Sequence, residues 1–442
     1  MIPPKPVART KRVSLWRYWQ MFRQDILSAQ PERLYRARMA EFKTPFFRSF
    51  LINEPDLIKT VLNERPSDFP KSERVTSGLA PLLGRSVFVT NGDEWAHQRR
   101  IIDPAFEGGR LAATFPAMID AARAAEKRLV PGKLDVESWA SHATADIIFR
   151  TLFSLPIDDG LARETYQAFR DFQREQPVAT LTALVPWLPV RHRRPAREAA
   201  VRLRKRIGEL VDQRLALIAA CAAPDDLATK IMTTPDPETG AHFDRDEMVD
   251  QVAIFFLAGH ETSAALLGWA LWLLASAPKW AADVASEGQV FWQDPTFAHL
   301  SKMPVTRSVI RETLRLYPPV PMFVREAQKS ETFRNRPVPP KAQIVISPWH
   351  LHRNDRYWDD PDAFDPSRWD TDAGRQAARG AYLPFSSGAR VCPGAGFAMA
   401  EAAILLTAAM RRFDFKPLET PVPVAHLTVR ARDGISLEAA AR

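Results

Sequence analysis

The chain has 442 residues, 46% hydrophobic and 25% charged, a balance typical of an ordinary soluble globular protein. Its net charge of +8 suits an anionic partner, but no zinc-ligand spacing or aromatic RNA-binding signature accompanies it, so nucleic acid is the weakest candidate. Only two cysteines are present, Cys221 and Cys392, which excludes a disulfide framework and a four-cysteine iron–sulfur cluster.

The N-terminal 44 residues are predicted to form an extension that contains one helix. Residues 1–12 are basic and proline-rich and lack the apolar core of a signal peptide. One helical face then collects five apolar residues, namely Leu15, Trp16, Trp19, Phe22 and Ile26. Such a face either lies in a membrane interface or packs on the body of the protein, and we favour the second alternative.

Short strand-like segments follow at 46–53 and 86–90, with a short helix predicted over 55–65 between them. A further helix is predicted to begin at about Asp93. It places Trp95 and Arg99 four residues apart and therefore on one face. Taken alone, an indole beside an arginine is most often a surface cation–π contact.

Residues 111–230 are mostly helical by their periodicity, with breaks near Pro131, near Pro156 and over 177–195. The last break contains an apolar segment at 178–188 and is followed by a strongly basic helix. This arrangement fits contact with an anionic bilayer. It fits a solvated basic helix face after a hydrophobic lid at least as well.

A long helix is predicted from a capping box at Asp244 and Glu247 to Ala277, where Pro278 ends it. It is apolar almost all round, as in a protein core or a membrane span. Its centre, Ala258-Gly259-His260-Glu261-Thr262-Ser263, carries four polar side chains. Because these would be costly inside a bilayer, a core helix of a soluble protein is favoured.

Three residues at this centre suggest chemistry. Gly259 allows another group to approach the helix backbone closely. Thr262 can bond to a carbonyl one turn earlier or leave that carbonyl free for a water, and Glu261 is a plausible proton carrier. The alternative is a kinked helix whose polar groups satisfy only each other. The combination favours a reactive site.

Another helix is predicted over 304–316, where Tyr317-Pro318-Pro319 ends it. Glu312 and Arg315 lie three residues apart on one face, at ion-pair distance. Strands are predicted at 320–325 and 343–348, and a hairpin at 429–437 around Asp433-Gly434.

The segment Phe385-Ser386-Ser387-Gly388-Ala389-Arg390-Val391-Cys392-Pro393-Gly394 leads directly into an apolar helix predicted over 395–412. The first N–H groups of that helix would point at the Cys392 sulfur and favour a thiolate. A buried hydrophobic thiol is the alternative, and the local residues leave the two balanced.

Together these motifs resemble the cytochrome P450 family of haem-thiolate monooxygenases. The Phe-x-x-Gly-x-Arg-x-Cys-x-Gly pattern runs from Phe385 to Gly394, and Ala-Gly-x-Glu-Thr runs from Ala258 to Thr262. The Glu-x-x-Arg pair at Glu312 and Arg315 is completed by Arg368, and Trp-x-x-x-Arg is met by Trp95 and Arg99. The motifs span residues 95–394. Each is weak alone, and together they are specific.

The resemblance implies a mainly α fold with a small β subdomain (α+β), in which haem lies between the long central helix and the helix after the cysteine loop. It implies one domain over 1–442, with an extension at 1–44 and the core at 45–442. It also implies heme b (iron protoporphyrin IX), with Cys392 as its iron ligand.

The site residues implied by the resemblance fall into three groups. Thr262 and Glu261 would be catalytic, and Glu312, Arg315 and Arg368 would form a structural network that fixes the cysteine loop. The haem-binding residues would be Trp95, Arg99, Ala258, Gly259, Arg325, Phe385, Gly388, Arg390, Cys392 and Gly394. Arg325 is assigned by its position only, and His352 would either bond near the haem or hold the loop.

The expected activity is insertion of one oxygen atom of O2 into a lipophilic organic substrate. Electrons would come from a ferredoxin-type donor with its reductase, attracted by basic residues such as Arg100, Arg411 and Arg412. The expected setting is a cytoplasmic monomer, with a peripheral membrane contact left open and no nucleic-acid partner. Alternatives are a haem-thiolate peroxygenase or isomerase, and a non-enzymatic haem sensor.

The substrate pocket would be mostly apolar by family analogy. It would use the segments 75–89, 165–190, 253–258 and 320–323 and the hairpin near Leu427. Arg74 or Arg85 is a candidate to hold a substrate carboxylate.

Overall fold

The computed structural model describes residues 1–44, 47–107, 109–175 and 192–442. The predicted strand at 46–53 is observed as a strand from Arg48 to Ile52. Most of the predicted break at 177–195, including its apolar segment at 178–188, lies outside the described residues, as does most of the 165–190 segment assigned to the substrate pocket.

The described residues are mainly helical, as the sequence predicts. The helices are α1 Leu15–Gln24, α2 Pro55–Lys59, α3 Glu73–Leu83, α4 Gly92–Ile102, α5 Arg110–Lys127, α6 Val136–Phe153, α7 Gly160–Glu175, α8 Arg194–Ala219, α9 Leu227–Thr233, α10 Arg245–Ala275, α11 Pro278–Phe291, α12 Pro304–Leu316, α13 Pro348–Leu351, α14 Asp372–Ala381 and α15 Ala395–Met410.

Within the described ranges the strands are short and form four small sheets. They are β1 Met39–Lys43, β2 Arg48–Ile52, β3 Gly132–Asp135, β4 Phe323–Glu326, β5 Glu331–Phe333, β6 Arg336–Val338, β7 Gln343–Ile346, β8 Phe413–Pro417, β9 Pro423–Ala425, β10 Val429–Ala431 and β11 Ser436–Ala441. The largest sheet has the order β1-β2-β7-β4, in which only β2 and β7 are parallel. The fold class expected from the sequence, mainly α with a small β part, is confirmed.

Helix α10 crosses the main hydrophobic core and begins at the predicted capping box. The Asp244 carboxylate accepts from the Glu247 amide at 2.8 Å, and the Glu247 carboxylate accepts from the Asp244 amide at 2.9 Å. α10 is long and apolar enough to cross a bilayer, yet 67% of its most apolar window is buried against the rest of the chain. Its packing against α6, α8, α12 and α15 agrees with the predicted core helix.

The middle of α10 is open along one stripe. Phe255, Ala258, Thr262 and Ala265 are exposed or partly exposed, although the helix is buried before and after them. Their spacing of three or four residues places them on one face. This stripe beside the polar centre of the helix is therefore not fully covered by neighbouring elements.

Two predicted β elements differ in the structure. Residues 86–90 form a turn, because Ser86 O accepts from the Val89 and Thr90 amides, and the Val87 amide donates to the Gln251 side chain of α10. The predicted hairpin at 429–437 is also wrong, because β10 pairs with β9 whereas β11 pairs with β3 and β8. Asp433-Gly434 therefore turns the chain between two sheets.

The N-terminal segment packs against the body of the protein. The Phe364 amide donates to Met1 O at 2.9 Å, the Tyr317 hydroxyl donates to Pro4 O at 2.7 Å, and Lys5 pairs with Asp362. In α1, Trp19 is buried, whereas Leu15 and Trp16 remain 47% and 57% exposed. The apolar face predicted from the sequence is thus only partly covered.

Candidate functional site

The cysteine loop is held in a tight arch that turns Cys392 toward the start of α15. Gly388 has φ +69°, and a Cβ at this position would lie 2.0 Å from Leu62 O, so only glycine fits here. The Cys392 amide donates to Phe385 O at 2.9 Å, which closes the loop. Arg99 donates to Val391 O at 2.9 Å and links the loop to α4.

The surroundings of the Cys392 sulfur act on its acidity in opposite directions. The Cys392 side chain is exposed beside the loop, yet neighbouring groups remove solvation from its sulfur and so raise the pKa of the thiol above its ordinary value, while the Gly394 N–H and the charge of Arg99 lower it. The Gly394 amide is an N–H group of the kind expected to favour a thiolate, and desolvation of the sulfur opposes it. Cys221 lies exposed just after α8, away from this loop.

Arg390, two residues before Cys392, is half-buried beside α4. Its guanidinium lies 4.2 Å from the centre of the Trp95 ring and donates to Thr90 O at 3.0 Å and Asn91 Oδ1 at 2.8 Å. Its Nη1 is buried and has no partner. The motif residues Trp95 and Arg390, far apart in sequence, are thus brought together.

Four cations converge at this place, namely Lys71, Arg99, Arg325 and Arg390. Burial lowers the pKa of Arg325 to about 10, and burial followed by the charges of Arg325 and Arg99 lowers that of Arg390 to about 9. Burial and the three arginines also hold the pKa of Lys71 well below its ordinary value.

These cations fit a dicarboxylate ligand. Within the described ranges, Arg99 pairs with Asp103 at 2.8 Å, whereas no acidic side chain pairs with Lys71, Arg325 or Arg390. Cations that are buried, as Arg325 is, or partly buried, as Lys71 and Arg390 are, are unfavourable without a counter-charge, and planar guanidinium groups bind carboxylates well. The donor set beside Cys392 therefore suits the propionates of a haem.

Lys71 was missed by the sequence reasoning. It lies outside every motif and reaches the cluster through an isolated β-bridge to Arg325. Its ammonium lies 3.8 Å from the centre of the Phe88 ring. No spacing signal links Lys71 to Arg325 or Arg390, because the bridge joins segments about 250 residues apart.

At the centre of α10, Thr262 adopts one of the two predicted arrangements. Its hydroxyl donates to Ala258 O at 2.5 Å, and both residues lie on the open stripe. The group that approaches Gly259 is the Ile148 side chain of α6, whose Cδ1 would lie 2.5 Å from an added Cβ. Gly259 therefore permits close packing of α10 against α6.

Glu261 is buried and held by side chains from two distant elements. Its Oε1 accepts from Thr428 Oγ1 at 2.7 Å and lies 3.1 Å from Arg430 Nη2. Its Oε2 accepts from Gln173 of α7 at 3.3 Å. These three partners were not found from the sequence, since none belongs to a motif.

His260 points to the other side of α10. Its Nε2 lies 2.8 Å from Ser141 Oγ of α6, and its ring meets Phe169 edge-on at 5.0 Å. Burial lowers the pKa of His260 to about 3. The neutral imidazole is engaged with α6 and α7 and is therefore turned away from the open stripe of α10.

Glu312, Arg315 and Arg368 form a buried network, as the motif predicts. Arg315 makes two bonds to the Glu312 carboxylate, at 2.9 and 2.8 Å, and Arg368 Nε lies 3.4 Å from the same group. The remaining arginine donors bind five backbone carbonyls, those of His352, Asp359, Asp360, Pro361 and Ala363. The network fixes the segment that precedes α14 and the cysteine loop.

His352 joins this network to the loop. Its Nδ1 lies 3.1 Å from Arg315 O, and its Nε2 accepts from the Leu383 amide at 2.8 Å. Leu383 comes two residues before Phe385. Of the two expectations for His352, the structure shows the one in which it holds the chain entering the cysteine loop.

Comparison with known proteins gives consistent matches over most of the chain. The family model described as Cytochrome P450 matches residues 35–438. Cyclooctat-9-en-7-ol 5-monooxygenase of Streptomyces melanosporofaciens is 33% identical over 377 residues, covering 84% of this chain and 81% of that protein. A cytokinin hydroxylase of Arabidopsis thaliana is 29% identical over 401 residues (87% and 77%), and cyclooctatin synthase of S. melanosporofaciens is 30% identical over 383 residues (84% and 81%).

Proposed function

The chain belongs to the cytochrome P450 family, and from this premise we propose that Cys392 ligates the iron of heme b in a monooxygenase acting on a lipophilic substrate. Members of this family are haem proteins, and the named relatives are monooxygenases and hydroxylases, so the protein is an oxidoreductase of that class. When bound, the haem supplies the activation of O2, which the thiolate promotes by donating electron density.

The observation that carries this proposal is the cation cluster around the cysteine loop. Trp95, Arg99, Arg325 and Arg390 would hold the propionates, as the sequence suggests, and we add Lys71 to them. Phe385, Gly388 and Gly394 would shape the loop, and Ala258 and Gly259 would lie toward the opposite side of the haem.

The optical spectrum of the reduced carbonyl complex tests the iron ligand. We expect the long-wavelength Soret band of a thiolate-ligated haem. A band at the position typical of a histidine-ligated haem would overturn the proposal. Product formation by the same sample, supplied with O2, substrate and an electron donor, distinguishes an enzyme from a haem sensor. Turnover with peroxide alone would favour the peroxygenase alternative.

We propose that Thr262 and Glu261 direct protons to the site. Thr262→Ala removes a hydroxyl on the open stripe and should leave haem binding unchanged. Positioned proton transfer contributes about 10²–10⁴-fold to rates, so product formation should slow while electrons are still consumed, and we expect the product formed per electron to fall by at least about tenfold. The ratio of product to oxidised reductant measures this. Thr262→Ser, which keeps the hydroxyl, is the control, and unchanged coupling in Thr262→Ala would exclude the role.

The role of Lys71 predicts a loss of haem affinity on substitution. Lys71→Met keeps an unbranched side chain, one atom shorter, and removes the charge, so we expect haem affinity to fall roughly 10- to 100-fold, the usual effect of losing a bond to a charged group. Haem transfer to excess apomyoglobin measures this loss. Lys59→Met, at an exposed lysine paired with Glu64, should leave transfer unchanged. Equal transfer from both variants would contradict the assignment.

Cytochrome P450 monooxygenases use redox partners, and we propose a ferredoxin-type donor with its reductase for this one. Two of the three arginines expected to attract it are neutralised in the structure. Arg100 pairs with Asp236 at 2.6 Å, and Arg411 pairs with Glu126 at 2.7 Å. Arg412 has no such partner within the described part of the chain. Electrostatic attraction predicts turnover under limiting ferredoxin that falls as salt rises, and a salt-independent rate would argue against it.

The proposed substrate is lipophilic because the residues expected to line the pocket are apolar. Phe88 is 37% exposed, and partly exposed side chains at Val87, Met322 and Leu427 accompany the open stripe of α10. Arg85 instead forms a surface pair with Glu94, so a role in holding a substrate carboxylate is not supported. The named relatives act on unlike molecules, so they do not identify the substrate. A titration of the haem spin state with terpenoids, fatty acids and aromatic compounds would show which class of substrate binds.

We propose a monomer with a single domain over 1–442, located in the cytoplasm with a peripheral membrane contact through α1. The exposed Leu15 and Trp16 support this membrane contact. Residues 1–5 bind the body of the protein, so the contact would involve the exposed face of α1 and not the segment before it. Flotation with anionic vesicles of the protein and of Trp16→Ser tests it. Equal recovery of both proteins with the vesicles would exclude α1. Sedimentation measures the oligomeric state.

A further inference from the structure

Asn91 joins three segments of the chain that lie far apart in sequence. Its Oδ1 accepts from the Lys71 amide at 2.9 Å and from Arg390 Nη2 at 2.8 Å, and its Nδ2 donates to Lys71 O at 3.1 Å. Exchanging the oxygen and the nitrogen of this amide would place donors against donors, so only one orientation satisfies all three bonds. Asn91 therefore fixes the backbone of Lys71 relative to the side chain of Arg390.

The side chain of Asn91 makes these bonds instead of capping α4. Asn91 is the N-cap residue of α4, where an asparagine side chain normally accepts from an amide of the first turn, but it forms no such bond. The N-cap side chains of six other helices, α1, α6, α9, α10, α13 and α14, do accept in this way: Ser14, Asp135, Asp226, Asp244, Ser347 and Thr371. The side chain of Asn91 is thus committed to the cation cluster and not to the helix that follows it.

Lys71 is also held from other directions. An isolated β-bridge pairs its backbone with Arg325. Its ammonium donates to Phe88 O and lies 3.8 Å from the centre of the Phe88 ring. With Asn91 binding both its N–H and its carbonyl, the position of Lys71 beside Arg325 and Arg390 is well defined.

Asn91 is uncharged at a position where an acid would fit. Aspartate is as good an N-cap residue as asparagine, and its carboxylate could accept the same two bonds from Lys71 and Arg390. It would also give Arg390 a counter-charge, whereas the described partners of the Arg390 side chain are neutral. A neutral amide orients the two cations and leaves their positive charge for a ligand that carries carboxylates.

We propose that Asn91 is a positioning residue of the haem site. It acts through Lys71 and Arg390, which it aligns on the propionates, and because it is uncharged it leaves the positive charge of both to the haem. This role rests on the proposed binding of heme b beside Cys392. Asn91 belongs to none of the motifs, and the sequence reasoning did not single it out.

Haem transfer to excess apomyoglobin from Asn91→Ala and Asn91→Asp tests the alignment and the need for a neutral group separately. Asn91→Ala removes all three bonds, so we expect haem affinity to fall about tenfold, the lower end of the effect of losing a bond to a charged group. Asn91→Asp keeps the two acceptor bonds but competes with the propionates for Arg390, so affinity should fall at least as far, by roughly 10- to 100-fold. A residue that only holds the fold would give the opposite order, because aspartate keeps more bonds than alanine, and that order would overturn the proposal.

The reduction potential of the bound haem gives a readout that a purely structural role would not move. The negative charge of Asn91→Asp disfavours the added electron, so we expect the reduction equilibrium to shift roughly tenfold toward the oxidised form, which is about 59 mV for a one-electron couple. Asn91→Ala adds no charge and should shift it less. Spectroelectrochemical titration measures the potential, and equal potentials in wild type and Asn91→Asp would contradict the proposal.

Asn335→Asp is the matched control. Asn335 is exposed in the turn between β5 and β6, so the same charge is added away from the cation cluster, and both haem transfer and potential should stay as in wild type. An equal effect of Asn335→Asp would show that the charge acts without Asn91's contacts and would overturn the proposal. If the wild-type protein shows the thiolate Soret band and both Asn91 variants behave like wild type, only the role of Asn91 is wrong. If the wild-type protein lacks the band, the proposed function itself fails.

Discussion

Replacing Cys392 with serine is expected to abolish both the thiolate Soret band of the reduced carbonyl complex and product formation. The sulfur of Cys392 is the soft ligand presented by the loop, and it accepts the Gly394 amide. A serine hydroxyl has a far higher pKa and would be a poor ligand at this place. The spectrum and the turnover rate, normalised to bound haem, measure the change.

The second cysteine supplies the control for this experiment. Cys221 is exposed after α8, outside the cysteine loop, so Cys221→Ser should retain the full spectrum and rate. An unchanged Soret band in Cys392→Ser would mean that another residue ligates the iron. Loss of the band in Cys221→Ser would point to the same conclusion.

Replacing Glu312 with alanine should yield protein that is largely haem-free or misfolded. The change leaves two buried guanidinium groups, those of Arg315 and Arg368, without their carboxylate. Breaking a buried pair in this way costs about 3–5 kcal/mol, a large part of the roughly 5–15 kcal/mol that stabilises a protein. The ratio of haem to protein after purification and the urea midpoint measure the loss.

An exposed ion pair provides the matched control. Arg375 donates to Asp372 on the surface of α14, close in sequence to the buried network, and Arg375→Ala should change stability by less than about 0.5 kcal/mol. A Glu312→Ala protein that is fully haem-loaded and merely slow would show that the network serves chemistry rather than folding.

Local sequence signals predicted several elements closely. The capping box at Asp244 and Glu247 starts α10, because both reciprocal bonds form within one helical turn. Pro304 and Tyr317-Pro318 bound α12, and the bonding pattern of Glu312 with Arg315 follows from their spacing on one face.

Other elements depended on distant partners. Residues 86–90 have the composition of a strand. In the structure, however, Gln251 of α10 accepts from the Val87 amide, and the carbonyl of Ser86 accepts from amides of the same turn. Strands β10 and β11 flank a good turn sequence yet pair with different neighbours. Which strands pair is determined by tertiary contacts. These contacts produce no pattern in the sequence of the strand itself, so the pairing could not be predicted from it.

By itself, the sequence determined the mainly helical fold, the family and the motif residues, because helix periodicity, caps and motif spacing are encoded within short stretches. Only the tertiary structure decided what surrounds these residues. It placed Lys71 among the arginines near Cys392, bound Glu261 to Thr428 and Arg430, and joined Asn91 to Arg390. Apart from Lys71 and Arg99, these contacts join residues more than 100 positions apart, so their burial and charge balance arise only when the helices pack.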